Sequence, residues 1–316
     1  MNYSYSSGWP GTIRSVTIGA TAEQGGTRVS SYQIGGDTDL SFINRSGKKP
    51  LIVYEICDDI SLWPEVVRNT CGDIASDPAS WAAYAEKKLQ ADCIRVNLTS
   101  TRCQNFTNFN AISDTITSVL ESTGLPLIIE GSTDPDIDSE VFVRCGEAGQ
   151  GEKLLLGTAE ADRYRSVAAA AMAYGHAIIA QTPIDVNLAK QLNILLRETG
   201  VSDDQIVIDP YTGALGYGFE YTYSTMERIR FAALKGDSDL AMPMISAPSD
   251  SLTVKEIRES ENPDEIAILW ERATAVSAAI AGAAILVVRH PGSVQPVRDA
   301  IDSLWQGSRS EVEDGA

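Results

Sequence analysis

Glu55, Glu130 and Asp209 each close or follow a short apolar run, the placement a catalytic carboxylate needs. Two carboxyls can divide acid and base roles when burial or a neighbour raises the pKa of one. No nucleophile or partner base stands beside them, so bonding loops and capping helices is the simpler assignment. The two histidines, His176 and His290, lie on opposite sides of their apolar runs. His176 precedes one, which suits a structural role. His290 follows another, before Pro291, where it can position a loop or touch a ligand. They do not form a two-histidine metal pair. No Gly-x-Ser-x-Gly elbow supports a serine nucleophile, and no run ends on a lysine that could form a Schiff base. Cys57, Cys71, Cys93, Cys103 and Cys145 are odd in number and never two residues apart. That spacing suits neither a disulfide framework nor a four-thiolate zinc or iron–sulfur site.

Two segments are richer. One runs from Thr182 through Asp185 and Asn187 to Lys190. The other runs from Ile208 through Asp209, Thr212 and Gly213 to Gly218. The second holds Gly213, Gly216 and Gly218 beside Thr and Tyr hydroxyls. Glycines allow close backbone approach, and the hydroxyls offer donors and acceptors to a polar ligand. The plainer alternative is an ordinary structured loop.

The elements that must hold these residues are legible from periodicity. The apolar runs are Leu51–Ile56, Cys93–Leu98, Pro126–Glu130, Lys153–Leu156, Ala177–Gln181, Gln205–Ile208, Asp239–Ile245 and Ala284–Val288. They are short, rich in β-branched residues and not alternating, as buried parallel strands are. A helix-sized segment fills each gap. Asp77-Pro78 reads as an N-cap with proline at the first helical position. Leu188, Leu192, Leu195 and Leu196 form one stripe that ends at Gly200. Asp138 reads as the cap of a short helix, and Asn262-Pro263-Asp264-Glu265 as a capping box. Eight strand–helix units predict an α/β protein, a TIM-type (β/α)8 barrel over residues 50–306, with an open doubly wound sheet as the rival. No Gly-x-Gly-x-x-Gly follows the first strand, which weakens the rival. Residues 1–49 carry β-prone runs Ser15–Ile18 and Val29–Ile34 among glycine pairs and read as an N-terminal β-hairpin strap. Residues 307–316 read as a disordered acidic tail. In the barrel, the functional face gathers the strand ends: Glu55, Asn97, Glu130, Gly157, Thr158, Gln181, Thr182, Asp209, Ser246, Arg289 and His290.

Of 316 residues 43% are hydrophobic and 22% charged, enough apolar content for a sizeable core. The net charge of −18 would repel phosphate backbones and argues against a nucleic-acid partner. No run reaches the roughly 20 apolar residues that span a bilayer, so no membrane partner is expected. Met1–Pro10 lacks a basic region and an apolar run, so no secretory signal and a cytoplasmic location are expected.

Leu156-Gly157-Thr158-Ala159, Tyr174-Gly175-His176, Asp185–Leu195, Ile206–Gly218 and Tyr221–Arg230 closely resemble the small (delta) subunit family of the corrinoid iron–sulfur protein. Ile18-Gly19-Ala20-Thr21, Gly25-Gly26-Thr27-Arg28, Ile268-Leu269-Trp270-Glu271 and Gly282–Pro291 extend the likeness over nearly the whole chain. The resemblance implies a TIM barrel paired in a heterodimer with a large subunit. That large subunit carries the iron–sulfur cluster and a corrinoid (cobalamin) domain, and the corrinoid lies over this barrel's mouth. The cofactor would take a methyl group from a methyltetrahydrofolate or related pterin methyltransferase and give it to acetyl-CoA synthase, in the reductive acetyl-CoA (Wood–Ljungdahl) pathway. The barrel's share would be binding, shielding and orientation. Thr182, Asp185, Asn187, Asp209, Thr212 and Gly213 are the expected corrinoid-facing residues, with no catalytic and no metal-binding residue of its own. Two readings compete: a pterin-dependent corrinoid methyltransferase barrel, and a binding or scaffold barrel without corrinoid.

Overall fold

The computed structural model describes residues 8–40, 48–103 and 106–313, with side chains to residue 305. Two short strands, β1 (Ser15–Ile18) and β2 (Tyr32–Gly35), pair antiparallel, Val16 opposite Ile34. Eight further strands form a closed, wholly parallel barrel. They are β3 (Leu51–Cys57), β4 (Cys93–Asn97), β5 (Leu127–Glu130), β6 (Leu155–Ala159), β7 (Ala177–Gln181), β8 (Ile206–Asp209), β9 (Met244–Ser246) and β10 (Ala283–Val288). β10 pairs with both β9 and β3, which closes the ring. The open-sheet rival is thereby excluded.

The helices outside the ring are α1 (Glu65–Cys71), α2 (Pro78–Tyr84), α3 (Phe109–Ser122), α4 (Pro135–Ala148) and α5 (Tyr164–Tyr174). They continue as α6 (Val186–Thr199), α7 (Phe219–Leu234), the single turn α8 (Lys255–Arg258), α9 (Pro263–Ala281) and α10 (Val294–Glu313). Their starts follow local chemistry. Asp77 accepts from the amides of Ala79 and Ser80, and Asp185 from those of Asn187 and Leu188. Such caps satisfy amides that a helix start leaves without partners.

Several boundaries differ from the periodicity reading. The seventh strand is only Met244–Ser246, because Asp237 caps a 3-10 turn over Ser238–Leu240 and Pro243 precedes the strand. The cap of α4 is Asp134, not Asp138. Asp138 is fully buried and accepts from the backbone of Ser132 and Thr133 instead. Asn262 makes no side-chain cap bond. Gly157 and Thr158 lie inside the fourth barrel strand rather than after it. α10 runs on to Glu313, through much of the stretch read as an unstructured tail. Gly25 lies in the long connection between β1 and β2. It ends a 3-10 turn over Ala22–Gln24 at φ +88°, a conformation glycine takes without a Cβ clash.

Two cores result. Outward strand side chains pack on the helices around Tyr54, Trp81 and Phe142, all fully buried. Inward side chains, among them Val53, Ile128, Leu155, Val207 and Ile285, fill the ring, and Val16, Ile18 and Ile34 of the hairpin close its lower end. Buried Arg28 ties this strap down, bonding Glu152, the Thr123 carbonyl and the Leu120 carbonyl at 2.7–2.8 Å. His176 lies at this lower end, accepting from the Leu154 amide and bonding the Gly146 carbonyl at 2.9 Å, so its role is structural.

Candidate functional site

Alternate strand residues face the ring interior. Above the apolar layer that phase delivers charged groups: Glu55 on β3, Arg95 and Asn97 on β4, Glu130 on β5, Gln181 on β7, Asp209 on β8 and Arg289 after β10. They form the floor of the barrel's C-terminal mouth. Glu55 is fully buried and anchors one side. It accepts from Arg289 Nε at 2.9 Å and Asn97 Nδ2 at 2.9 Å. Arg95 lies between the carboxylates, its Nε 3.6 Å from Glu55 and its Nη2 paired with Glu130. Arg102 reaches Glu130 and Asn97 at 3.1 Å each. Arg289 also pairs with Asp250 at 3.5 Å and lies over the Trp63 ring at 4.5 Å. Burial alone would raise the Glu55 pKa, but Arg289 and Arg95 overcome it and hold the carboxyl at about 2.

The opposite side of the floor holds Asp209, 6% exposed. Gln181 Nε2 and the Tyr211 amide each donate to it at 2.8 Å. Burial lifts its pKa to about 6 despite these bonds. The folded form therefore holds a proton more tightly than the unfolded chain, whose carboxyl titrates near 3.8. Stability from this group is complete below about pH 4 and is lost as pH rises through 6. Asp209→Asn, neutral at every pH, should flatten the stability profile across that window, as read from urea midpoints between acid and neutral pH. An unchanged slope would show that Asp209 titrates as an ordinary surface carboxyl.

The loops after β7 and β8 are zipped together over Asp209. The Thr182 amide donates to the Asp209 carbonyl at 3.0 Å, and the Ile184 amide to the Pro210 carbonyl at 3.2 Å. Both loops hold a non-glycine residue at positive φ, Ile184 at +48° and Tyr211 at +62°. For a β-branched residue this is a strained conformation, kept only because its surroundings over-determine it. Thr212 Oγ1 accepts from the Ala247 amide and bonds Ser246 Oγ, both at 2.9 Å, which locks the second loop to β9.

The sequence-derived candidates thus divide. Asp209, Thr212 and Gly213 come together at the mouth. Thr182 joins them, buried, with no partner for its Oγ1. Asp185 is the cap of α6, and Asn187 lies exposed in that helix's first turn. His290 is buried beside the mouth, bonding Asp264 at 2.9 Å and accepting from the Gly292 amide, which is loop positioning. Sequence reasoning missed Arg95, Arg102 and Asp250. An arginine at the inward phase of the apolar run Cys93–Leu98 was the available signal for the first. Arg102 and Asp250 lie in 3-10 turns whose path no periodicity reveals.

The family model for the CO dehydrogenase/acetyl-CoA synthase delta subunit matches residues 15–294. The chain belongs to this family. The acetyl-CoA decarbonylase/synthase complex subunit delta of Methanopyrus kandleri is 35% identical over 306 residues, covering 94% of this chain and 76% of that protein. The subunit delta of Archaeoglobus fulgidus is 32% identical, covering 95% and 70%. Among solved structures, a dihydropteroate synthase of Yersinia pestis superposes with a TM-score of 0.62 at 13% identity, over 83% of this chain and 95% of that one. The enzyme of Coxiella burnetii gives 0.58 at 16% identity, over 84% and 97%. At such identities these structures share the barrel fold alone. No helix among the described residues is long and apolar enough to cross a membrane.

Proposed function

We propose that this chain is the small subunit of a heterodimeric corrinoid iron–sulfur protein, and that its barrel mouth caps a corrinoid held by the large, cluster-bearing subunit. The corrinoid, when bound, supplies a nucleophilic cobalt that accepts a methyl group from a pterin-dependent methyltransferase and yields it to acetyl-CoA synthase. Membership of the family is the observation that carries this reading. The residues of the mouth fit it. The ring below is filled by apolar side chains, so a planar ligand lies across the mouth rather than inside it. Arg95, Arg102 and Arg289 face Glu55, Glu130 and Asp250, which gives the floor balanced charge without a free nucleophile. Exposed Leu62, Leu188, Tyr211 and Tyr217 offer apolar contact around the rim. The unpartnered Thr182 Oγ1 is left to bond a peripheral amide. Thr182, Asp185, Asn187, Asp209, Thr212 and Gly213 remain the residues assigned to the corrinoid side, with Thr182, Asp209 and Thr212 the strongest on geometry. This chain's work is to bind, orient and exclude water.

Thr212→Val combined with Asp209→Asn should lower corrinoid retention of the purified heterodimer several-fold, read from its visible absorbance. Wild-type retention together with a wild-type methylation rate would remove both residues from the site. Methyl transfer to free cobalamin by this chain alone would favour the methyltransferase alternative instead.

A further inference from the structure

A groove on the outer face runs between α9 and α10, with a volume of about 1540 Å³. One wall is the α9 stripe Leu269, Ala273 and Val276, spaced four and three residues apart. The other is the α10 stripe Pro296, Ala300 and Leu304, spaced four apart. Residues at these spacings share one helix face. Leu269 is 43% exposed, a large apolar side chain left in water. The alanines at the centre of both stripes let a third backbone approach closely. Each stripe runs roughly 11–12 Å along its helix, the length of about two turns of a docked helix.

The third wall comes from the mouth. The loop after β8 places Thr212 and Gly213 at the barrel opening, and its tip, Leu215–Tyr217, closes one end of the groove. Tyr217 Oη donates to the Glu256 carboxylate, 3.0 Å from each oxygen, and so holds the tip there. Glu256 and Asp299 set two negative charges on the rim against one positive charge, Arg272. The rest of the chain adds to this field, with a net charge of −18. An apolar trough with an acidic rim is complementary to an amphipathic helix that carries basic residues along its edge.

We infer that the α9–α10 groove seats a basic-edged amphipathic helix of the large subunit, beside the loop that lines the mouth. This inference rests on the heterodimer proposed above. Docking there places the partner against the tip of a loop whose base contacts the cofactor side, so the two subunits meet the corrinoid in fixed register.

Ala273→Trp and Ala300→Trp fill the groove from exposed or half-exposed helix positions, and Asp299→Lys reverses a rim charge without touching the core. Each is titrated against the cluster-bearing large subunit by analytical ultracentrifugation, with circular dichroism of the free chain as the folding control. The expected result is dissociation constants raised at least 30-fold for each tryptophan variant and about 10-fold for Asp299→Lys, with the last effect shrinking at high salt. Wild-type affinity in a folded tryptophan variant overturns the groove assignment while leaving the heterodimer standing. If the tryptophan variants misfold, unchanged affinity of Asp299→Lys at low salt overturns it instead. Self-association of the wild-type chain that Ala273→Trp abolishes overturns it in favour of a second copy as occupant. Failure of the wild-type chain to bind the large subunit at any concentration overturns the heterodimer reading itself.

Discussion

Replacing Arg95 by Met should destabilise the folded chain by about 3–5 kcal/mol, the usual cost of stripping a partner from a buried ion pair. Arg95 is 6% exposed and is the only side chain that touches both Glu55 and Glu130 among the described residues. Without it Glu130 keeps Arg102, which is partly exposed, and fully buried Glu55 keeps Arg289 and Asn97. The methionine fills similar space, so the loss is electrostatic rather than a packing defect. The second carboxylate is what makes the charge costly to remove. Arg95→Met with Glu130→Gln should therefore recover part of the loss, a coupling that a double-mutant cycle isolates. Urea unfolding of the single and double variants measures both numbers. A single variant within about 1 kcal/mol of wild type, on the scale of an exposed pair, would contradict a buried floor.

Gly213→Val should disorganise the loop after β8 and deplete the heterodimer of corrinoid about 10-fold or more. A Cβ at residue 213 would stand 2.9 Å from the Gly218 carbonyl carbon and 3.1 Å from the Phe219 amide nitrogen. Both are backbone atoms, which cannot swing aside as a side-chain tip can. The Gly213 amide also donates to Thr222 Oγ1, whose hydroxyl in turn donates to the Tyr211 carbonyl. Pushing the turn apart breaks this ring and with it the hold on Asp209. Gly216→Ala is the informative contrast. Gly216 has φ +76° but open space around it, so alanine there costs about 1 kcal/mol of backbone strain and leaves the mouth intact. Absorbance of the purified complex separates the two variants. Equal retention in both would mean that the Thr212–Gly213 turn does not face the corrinoid.

The barrel was legible because its signal is redundant. Eight short apolar runs separated by helix-sized segments admit few architectures, and β10 closing on β3 completes the expected ring. Where one element broke the pattern, local chemistry had intervened. The stretch from Asp239 reads as strand, but Asp237 turns it into a 3-10 helix. Asp138 has a capping residue's identity but sits a turn too late, and its carboxylate braces the preceding loop instead. The site was less legible, because its organising groups meet only in three dimensions. Glu55 and Arg95 lie on two strands and Arg289 just past the end of a third, far along the chain from the glutamate it bonds. Strand-end position found the carboxylates and Arg289, while Arg95, which together with Arg289 holds the Glu55 carboxyl low, came into view only with the ring. Asp185 shows the opposite case, a polar residue at a strand end whose carboxylate satisfies a helix start.

The most direct test compares the purified large subunit with and without this chain, reading corrinoid content from visible absorbance after gel filtration. The proposed cap predicts that the pair retains corrinoid which the large subunit alone loses, while this chain by itself is colourless. Equal retention by the large subunit without its partner would contradict it.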